Sequence, residues 1–189
     1  MRPIAWIFDL DGTLTVPMHD FAGFKRSVGL PVALDILEGI AQAPPAEQPA
    51  LHAAVVAWER SLVEGARAAP GAEALLASLS GPVGIVTRNT KESALRTLEV
   101  IGLRHWFVDE DVLGRRCAEP KPSPEPIHRL LTRWSVDPAG AVMVGDHVDD
   151  LRSGRAAGTA TVWMHHGEGA PPSEADRVVR SLRELIEAP

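Results

Sequence analysis

Two aspartates separated by one residue follow an apolar segment near the start of the chain. Residues 4–8 are apolar, and Asp9 and Asp11 come directly after them, before Gly12. A buried strand that ends in two carboxylates needs a cation or another partner for them, because an isolated charge is costly to bury. In open α/β sheets, ligands bind beyond the carboxyl ends of the strands. The pair is therefore a candidate catalytic site, and the alternative is two acidic residues that only cap a turn.

A second acidic group follows a later apolar segment. Asp146, Asp149 and Asp150 lie close together in the chain, and such carboxylates repel one another unless a positive group lies among them. Together with the first pair they would form an oxygen-rich site suited to a hard divalent ion, for which Mg²⁺ is the first candidate. The alternative for Asp149 is a solvated acidic residue in the first turn of a helix, where negative charge is favourable.

Groups that could bind a phosphate follow two other segments. An apolar segment ends in the hydroxyl of Thr87, and Arg88 and Asn89 come next at a predicted helix N-terminus, where backbone N–H groups favour an anion. Lys121 lies between two prolines, which restrict the backbone that carries its charge. The alternatives are that Thr87 is an ordinary β-branched strand residue and that Lys121 is a solvated loop lysine.

Short apolar segments alternate with helical segments, and this alternation predicts the scaffold for these residues. We expect strands at 4–8, 82–87, 141–145 and 159–164, with a weaker candidate at 106–108. We expect helices at 72–79, 91–101, 124–134, 149–157 and 182–187. Because parallel strands need crossover connections, the pattern predicts an α/β fold, with a parallel sheet covered by helices.

Capping signals support the start of three of these helices. The spacing of Asn89 with Glu92, and of Ser181 with Glu184, is that of a capping box. Ser123 before a proline is a suitable N-cap residue.

The interval 16–70 departs from the alternation, because it has helical spacing and no apolar β-type segment. Helices are expected near 21–28, 34–40 and 51–63, and the proline-rich residues 41–50 would connect the last two. We therefore expect a helical insertion at 16–70 and a discontinuous core made of residues 1–15 and 71–189.

Composition limits the kind of protein. The 189 residues are 45% hydrophobic and carry a net charge of −6, which disfavours nucleic acid as a partner. The apolar segments are too short to cross a membrane, and a single cysteine allows no intrachain disulfide. We expect a cytoplasmic protein without a membrane partner, present as a monomer or a homodimer.

Taken together, these segments resemble the phosphatase branch of the haloacid dehalogenase superfamily. The matching motifs are FDLDGTLT, the strand that ends in Thr87, Lys121 in KPSPEP, and GDHVDD. They occur in the family's order. The insertion resembles the family's helical cap, and AAPGAEALLASL resembles the return to the core in phosphoglycolate-phosphatase-like members. The resemblance implies a Rossmann-like parallel sheet core with a small all-helical cap inserted after the first strand.

The resemblance also implies roles for the acidic residues. Asp9 would be the nucleophile that forms an aspartyl-phosphate, and Asp11 would act first as general acid and then as general base. Mg²⁺ would be held by the Asp9 carboxylate, the Asp11 backbone carbonyl and Asp146. Asp150 or Asp149 would support the metal from behind these ligands.

Phosphate-binding roles follow from the same resemblance. Thr87, Lys121 and the backbone around Arg88 and Asn89 would neutralise the oxygens of the transferred group, and Lys121 would also steady Asp9.

Substrate choice is expected to depend on the insertion. Its polar residues are either substrate contacts or solvated surface groups: His19, Asp20, Lys25, Arg26, Arg60 and Arg67. Asp20 could equally be only the N-cap of the first helix. His165 and His166 follow the last predicted strand, and because adjacent residues of an extended chain point to opposite faces, we do not expect them to form a metal pair.

The expected function is Mg²⁺-dependent hydrolysis of a small phosphorylated metabolite. The alternatives are a phosphomutase or phosphonatase on the same scaffold, or a non-catalytic binding protein. A phosphonatase would need a lysine near the reacting carbon, and Lys25 is the only lysine within 16–70. A binding protein would be expected to lose Asp9 or Asp11, and both are present.

Overall fold

The computed structural model describes residues 3–17, 20–167 and 169–186. The chain divides into two compact units, which are residues 1–17 together with 66–189, and residues 18–65. We call the first the core unit and the second the helical unit. None of the described helices is long and apolar enough to span a bilayer.

The core unit is built on a parallel sheet. Its strands among the described residues are β1 (Ala5–Phe8), β2 (Val83–Val86), β3 (Val112–Leu113), β4 (Ala141–Gly145), β5 (Ala160–Met164) and β6 (Arg177–Val179). The spatial order is β3-β2-β1-β4-β5-β6, and every pair of neighbours is parallel. β1 therefore lies between β2 and β4, and their carboxyl ends come out at the same edge of the sheet.

Helices make up the helical unit and the layers beside the sheet. The helical unit contains α1 (Phe21–Ser27), α2 (Ile36–Gln42) and α3 (Gln48–Val63). The core unit contains α4 (Ala72–Ser78), α5 (Lys91–Val100), α6 (Glu125–Trp134), α7 (Val148–Ala157) and α8 (Arg183–Ile186).

Both faces of the sheet are buried against helices. Side chains alternate along β1, so that Phe8 packs with Leu75 and Leu98 on one side while Ile7 packs with Ile127 and Met143 on the other. A strand buried on both faces is apolar throughout, which explains why these segments show no polar alternation in the sequence. The predicted α/β class and parallel sheet are confirmed.

The helical unit has its own small core. Phe24, Leu30, Ile40 and Val55 are buried together. The ring of Trp58 stacks on Phe24 with the ring centroids 4.3 Å apart. Stacked aromatic rings contribute beyond their buried area, so this pair helps to hold α1 against α3.

Two expectations about strands were wrong. Residues 106–108 do not form a strand, because the chain makes a 3₁₀ turn at Arg104–Trp106 and then buries Phe107 in the core. The edge strands β3 and β6 were missed, because segments of two and three residues are too short to show a period.

Capping differs from expectation at two helices. Thr90, not Asn89, is the N-cap of α5, and its hydroxyl accepts a hydrogen bond from the Ser93 N–H at 3.1 Å. Pro124 occupies the N-cap position of α6, and the preceding Ser123 hydroxyl accepts from the Glu125 N–H at 3.3 Å. Because Thr90 caps α5, the side chain of Asn89 is available for another contact.

Candidate active site

The candidate active site lies at the carboxyl ends of the three central strands. Asp9 follows β1, Thr87 follows β2 and Asp146 follows β4. Because these strands are parallel neighbours, the residues that follow them meet at one edge of the sheet. The topology therefore brings together motifs that are far apart in the sequence.

The turn after β1 packs closely against the end of β4. Gly12 has a φ of +82°, a conformation that favours glycine, and its N–H donates to the Thr15 hydroxyl at 3.2 Å. A Cβ built on Gly12 would lie 2.1 Å from Oδ2 of Asp146. Glycine is therefore required for the Asp146 carboxylate to lie against this turn.

Lys121 holds two of the carboxylates. Its ammonium is 2.6 Å from Oδ1 of Asp9 and 2.6 Å from Oδ1 of Asp150, and it also donates to the Val86 carbonyl at 2.8 Å. Burial alone lowers the pKa of Lys121, but the carboxylates of Asp150 and Asp9 more than compensate and raise that pKa above its usual value. Lys121 is therefore a fixed positive charge, and the alternative of a solvated loop lysine is wrong.

Asp150 is buried at the start of α7. Its Oδ2 accepts a hydrogen bond from the His147 N–H at 2.9 Å. A Cβ built on Gly145 would lie 2.2 Å from the same oxygen, so glycine at the end of β4 makes room for this carboxylate. The first turn of α7 thus places Asp150 beside Lys121.

Three carboxylates lie close enough to bind one metal ion. One oxygen from each of Asp9, Asp146 and Asp150 lies within 4.8 Å of the other two. Burial raises the pKa of Asp9 to about 7 and that of Asp146 to about 8, and in both cases the charge of Asp150 reinforces the effect. When all three are ionised, three carboxylates beside one ammonium leave an excess of two negative charges. This donor set fits a divalent cation that prefers oxygen ligands.

Thr87 and Asn89 follow β2, the strand next to β1. The Thr87 hydroxyl, buried at the end of β2, accepts a hydrogen bond from the Asn89 N–H at 3.1 Å. The side-chain amide of Asn89 donates to Oδ2 of Asp11 at 2.6 Å. The backbone N–H of Asn89 thus faces Thr87, and the side chain of Asn89 faces Asp11.

The Arg88 side chain connects two other parts of the site. Its Nη2 is 2.5 Å from Oδ2 of Asp149 and 3.2 Å from the backbone carbonyl of Lys121. The sequence left a choice between Asp149 and Asp150 as the residue near the metal. Asp150 lies in the carboxylate cluster, whereas Asp149 pairs with Arg88. The guanidinium is therefore engaged with protein groups at the place where a phosphate contact was predicted.

The named residues of the helical unit have structural roles or lie at the surface. The Lys25 ammonium donates to the carbonyls of Val32 and Leu34 at 2.7 and 2.8 Å. Asp20 is the N-cap of α1 and accepts from the Gly23 N–H at 2.7 Å. The side chains of Arg26 and Arg60 are exposed, and so is that of Arg67, a predicted candidate that lies in the core unit. His19 lies outside the described residues.

Sequence reasoning missed two residues beside the site. A ring nitrogen of His166 contacts the carbonyl of Gly12, in the turn after β1. His165 instead accepts a hydrogen bond from the indole of Trp163 at 3.0 Å. A guanidinium nitrogen of Arg115 donates to the Arg88 carbonyl at 3.2 Å. The contacts of His166 and Arg115 have no sequence signal, because each depends on the path of a loop.

Comparison with known proteins agrees with the geometry. Residues 32–164 match the family described as haloacid dehalogenase-like hydrolase. The chain is similar to phosphoglycolate phosphatase from Rhodospirillum rubrum, with 31% identity in an alignment that covers 90% of this chain and 83% of that protein. It is also similar to the probable phosphatase IndB from Dickeya dadantii, with 30% identity in an alignment that covers 100% of this chain and 94% of that protein.

The fold is also similar to that of solved structures. A putative phosphoglycolate phosphatase from Lactobacillus plantarum superposes with a TM-score of 0.80 at 19% identity and covers 99% of each chain. Sheet, motifs and matches together define a hydrolase with an α/β fold of Rossmann-like topology. The chain belongs to the haloacid dehalogenase-like hydrolase family, in its phosphoglycolate-phosphatase-like branch. The family, fold class and enzyme class predicted from the motifs, those of a phosphatase-type hydrolase, are confirmed.

Proposed function

We propose that this protein is a Mg²⁺-dependent phosphatase that hydrolyses a small phosphorylated metabolite through an aspartyl-phosphate at Asp9. One observation carries the proposal. The Asp9 carboxylate is bound by the Lys121 ammonium at 2.6 Å and lies within a group of three carboxylates that fits a divalent cation. A buried nucleophile between two positive charges is what attack on a phosphate dianion requires, since phosphoryl transfer depends on positioning and charge neutralisation.

The metal would be held by Asp9, Asp146 and the backbone carbonyl of Asp11, with Asp150 supporting the group. When bound, Mg²⁺ supplies charge neutralisation, which lets a carboxylate approach a phosphate. The helical unit, residues 18–65, would act as the family's cap, for which the sequence predicts the boundaries 16–70.

The residues of the chain account for the two chemical steps. Lys121 holds one oxygen of Asp9, and an oxygen of this carboxylate attacks phosphorus. An Asp9 oxygen–phosphorus bond forms while the ester oxygen–phosphorus bond breaks, and Asp11 gives its proton to the leaving oxygen. Water then attacks the same phosphorus and loses a proton to Asp11. Inorganic phosphate leaves and the Asp9 carboxylate is restored.

The transferred group would be neutralised at the end of β2. The Thr87 hydroxyl accepts from the Asn89 N–H, so its own hydrogen can be directed to a phosphoryl oxygen. Lys121 supplies the fixed positive charge on the same side as the nucleophile.

The geometry does not favour the phosphonatase alternative. The Lys25 ammonium already donates to two backbone carbonyls, and an amine held in this way is a poor nucleophile for a substrate carbonyl.

The test is an assay of the purified full chain against p-nitrophenyl phosphate and a panel of small phosphate esters, with and without Mg²⁺. Turnover should need Mg²⁺, and Asp9→Asn should abolish it without changing the fold. Asp137→Asn is the matched control, because Asp137 is an exposed aspartate whose side chain caps a 3₁₀ turn. Turnover by the Asp9 variant, or by the metal-free enzyme, would overturn the proposal.

A further inference from the structure

The amide of Asn89 makes a contact for which neither helix capping nor phosphate binding accounts. Its Nδ2 is 2.6 Å from Oδ2 of Asp11, and the two residues are 78 positions apart in the chain. Helix capping is performed by Thr90, and the Asn89 N–H is directed to the Thr87 hydroxyl. The contact with Asp11 therefore needs an explanation of its own.

We propose that Asn89 is a positioning residue for Asp11. Its amide holds the carboxyl group of Asp11 in the orientation from which a proton reaches the leaving oxygen of the substrate. This inference rests on the proposed function, since it assigns Asn89 a part in the proton transfer of the first chemical step.

The backbone of Asn89 is fixed on both sides, so the direction of its Cα–Cβ bond is set independently of the contact with Asp11. The N–H donates to Thr87, and the carbonyl accepts from the Arg115 N–H at 2.9 Å. A Cβ built on Gly114 would lie 2.7 Å from the Asn89 carbonyl oxygen, so the chain before Arg115 passes directly against this residue. Preorganisation of this kind is what a positioning residue requires.

An amide is chemically suited to this task. A carboxylate only accepts hydrogen bonds, so the NH₂ side of the Asn89 amide must face Oδ2 of Asp11. The amide is neutral and carries no titrating proton, so it can orient the carboxyl group without competing for the proton that is transferred. A lysine at this place would add a second fixed charge beside the nucleophile.

If Asn89 acts by positioning Asp11, its loss should change how kcat/KM depends on the leaving group, which a purely structural role would not do. Esters with a poor leaving group need a proton on the departing oxygen, whereas p-nitrophenolate is stabilised by its nitro group and leaves without one. Loss of Asn89 should therefore harm phenyl phosphate more than p-nitrophenyl phosphate. The ratio of kcat/KM for the two esters is the appropriate measure, because it reports the steps through the first phosphoryl transfer.

The experiment compares Asn89→Leu and Asn89→Ser with the wild-type chain in the presence of Mg²⁺. Leucine keeps the shape without the amide, and serine removes the amide with less risk to folding, which circular dichroism checks. General acid catalysis contributes roughly 10²–10⁴-fold, so a misplaced acid should lower kcat/KM for phenyl phosphate about tenfold more than for p-nitrophenyl phosphate.

Two reference variants complete the test. Asp11→Asn should show the same selective loss, and adding Asn89→Leu to it should produce no further selectivity, since both changes remove one function. Thr87→Val, in the same segment, should lower kcat/KM for both esters by equal factors, because it removes a phosphate contact.

The outcomes separate this inference from the proposed function. An active wild type whose Asp11→Asn variant discriminates between the esters, while both Asn89 variants do not, would overturn the positioning role alone. A rise in KM that is equal for both esters would instead make Asn89 a phosphate-binding residue. A wild type without Mg²⁺-dependent turnover of either ester would overturn the proposed function, and the positioning role with it.

Discussion

Two lysines, one in each unit, show how differently the two parts of this molecule use a positive charge. Lys121 in the core unit is 6% exposed, and its ammonium binds the carboxylates of Asp9 and Asp150. Lys25 in the helical unit is half-buried, and its ammonium donates to the carbonyls of Val32 and Leu34. Lys121 neutralises part of a carboxylate cluster, whereas Lys25 connects α1 to the loop that follows it.

The comparison shows that the buried charges that disfavour folding lie in the core unit. Buried carboxylates that share one ammonium are unfavourable for folding, and the core unit keeps three of them at the strand ends. In the helical unit, the described polar residues that the sequence singled out lie at the surface or bond to nearby backbone. We therefore expect the catalytic groups to lie in the core unit and not in the helical unit. Variants of the two lysines test this division between the units.

The largest effect is expected for Lys121→Met. It removes the positive charge beside the nucleophile and leaves Asp9 and Asp150 without their shared partner. We expect kcat/KM to fall by about 10²–10³-fold, the usual effect of removing one charge-stabilising donor. Breaking a buried ion pair from one side should also lower the free energy of unfolding by about 3 kcal/mol. Steady-state kinetics and urea unfolding measure the two effects, and an active, equally stable variant would contradict the division.

Metal removal should affect stability in a pH-dependent way. The pKa values of Asp9 and Asp146 are raised from 3.8 to about 7 and about 8, so the folded chain binds protons that the unfolded chain has lost. The contribution of these two groups to the stability of the metal-free protein is therefore most favourable below the usual pKa of aspartate. It should fall as the pH rises, until both groups are ionised above about 8.

Added Mg²⁺ should reverse this loss at mildly alkaline pH. At a concentration about 100-fold above its Kd, a bound ion stabilises the folded state by about 2.7 kcal/mol. Asp146→Asn should lose most of that gain and should raise the stability of the metal-free protein. Thermal melts at several pH values with and without Mg²⁺ measure both effects, and a gain in stability that is the same in the variant would place the ion elsewhere.

A smaller effect is expected for the pair formed by Arg88 and Asp149. Arg88→Gln breaks the contact at 2.5 Å and also loses the bond to the Lys121 carbonyl, whereas Asp149→Asn removes the charge that orients the Arg88 guanidinium. Each should lower kcat/KM by about tenfold, and the double variant should be no worse than either single one. Fully additive losses would instead mean that Arg88 contacts the substrate phosphate, as the sequence suggested.

The smallest effect on activity is expected for Lys25→Met. It removes two hydrogen bonds from the helical unit, which should cost about 1–2 kcal/mol of stability. Turnover of p-nitrophenyl phosphate should fall far less than in Lys121→Met. A loss of activity as large as that of the Lys121 variant would show that the comparison between the two lysines is wrong.

Much of the site could be predicted from the sequence because charged residues directly follow apolar strands. Asp9, Asp146 and Thr87 each come after a segment that is buried on both faces, and the parallel topology brings these strand ends together. Lys121 could be named because prolines flank it, although its bonds to Asp9 and Asp150 required the structure.

The partners of Asn89 and Arg88 could not be predicted. Both residues lie just after the same strand, and the sequence gives no reason for one side chain to face Asp11 and the other Asp149. Their directions depend on the path of the chain near Arg115, which has no periodic pattern. The burial of Phe107 without a strand has the same origin, since apolar side chains can fill the core from an irregular segment.

The most direct test of the central claim is to trap the aspartyl-phosphate. The wild-type chain is mixed with p-nitrophenyl phosphate and Mg²⁺, quenched with acid, and treated with borohydride, which reduces an acyl phosphate to an alcohol. Peptide mapping by mass spectrometry should then find Asp9 reduced to homoserine, and only when both substrate and Mg²⁺ were present. Rapid turnover with unmodified Asp9, or with the reduced residue at another aspartate, would contradict the account.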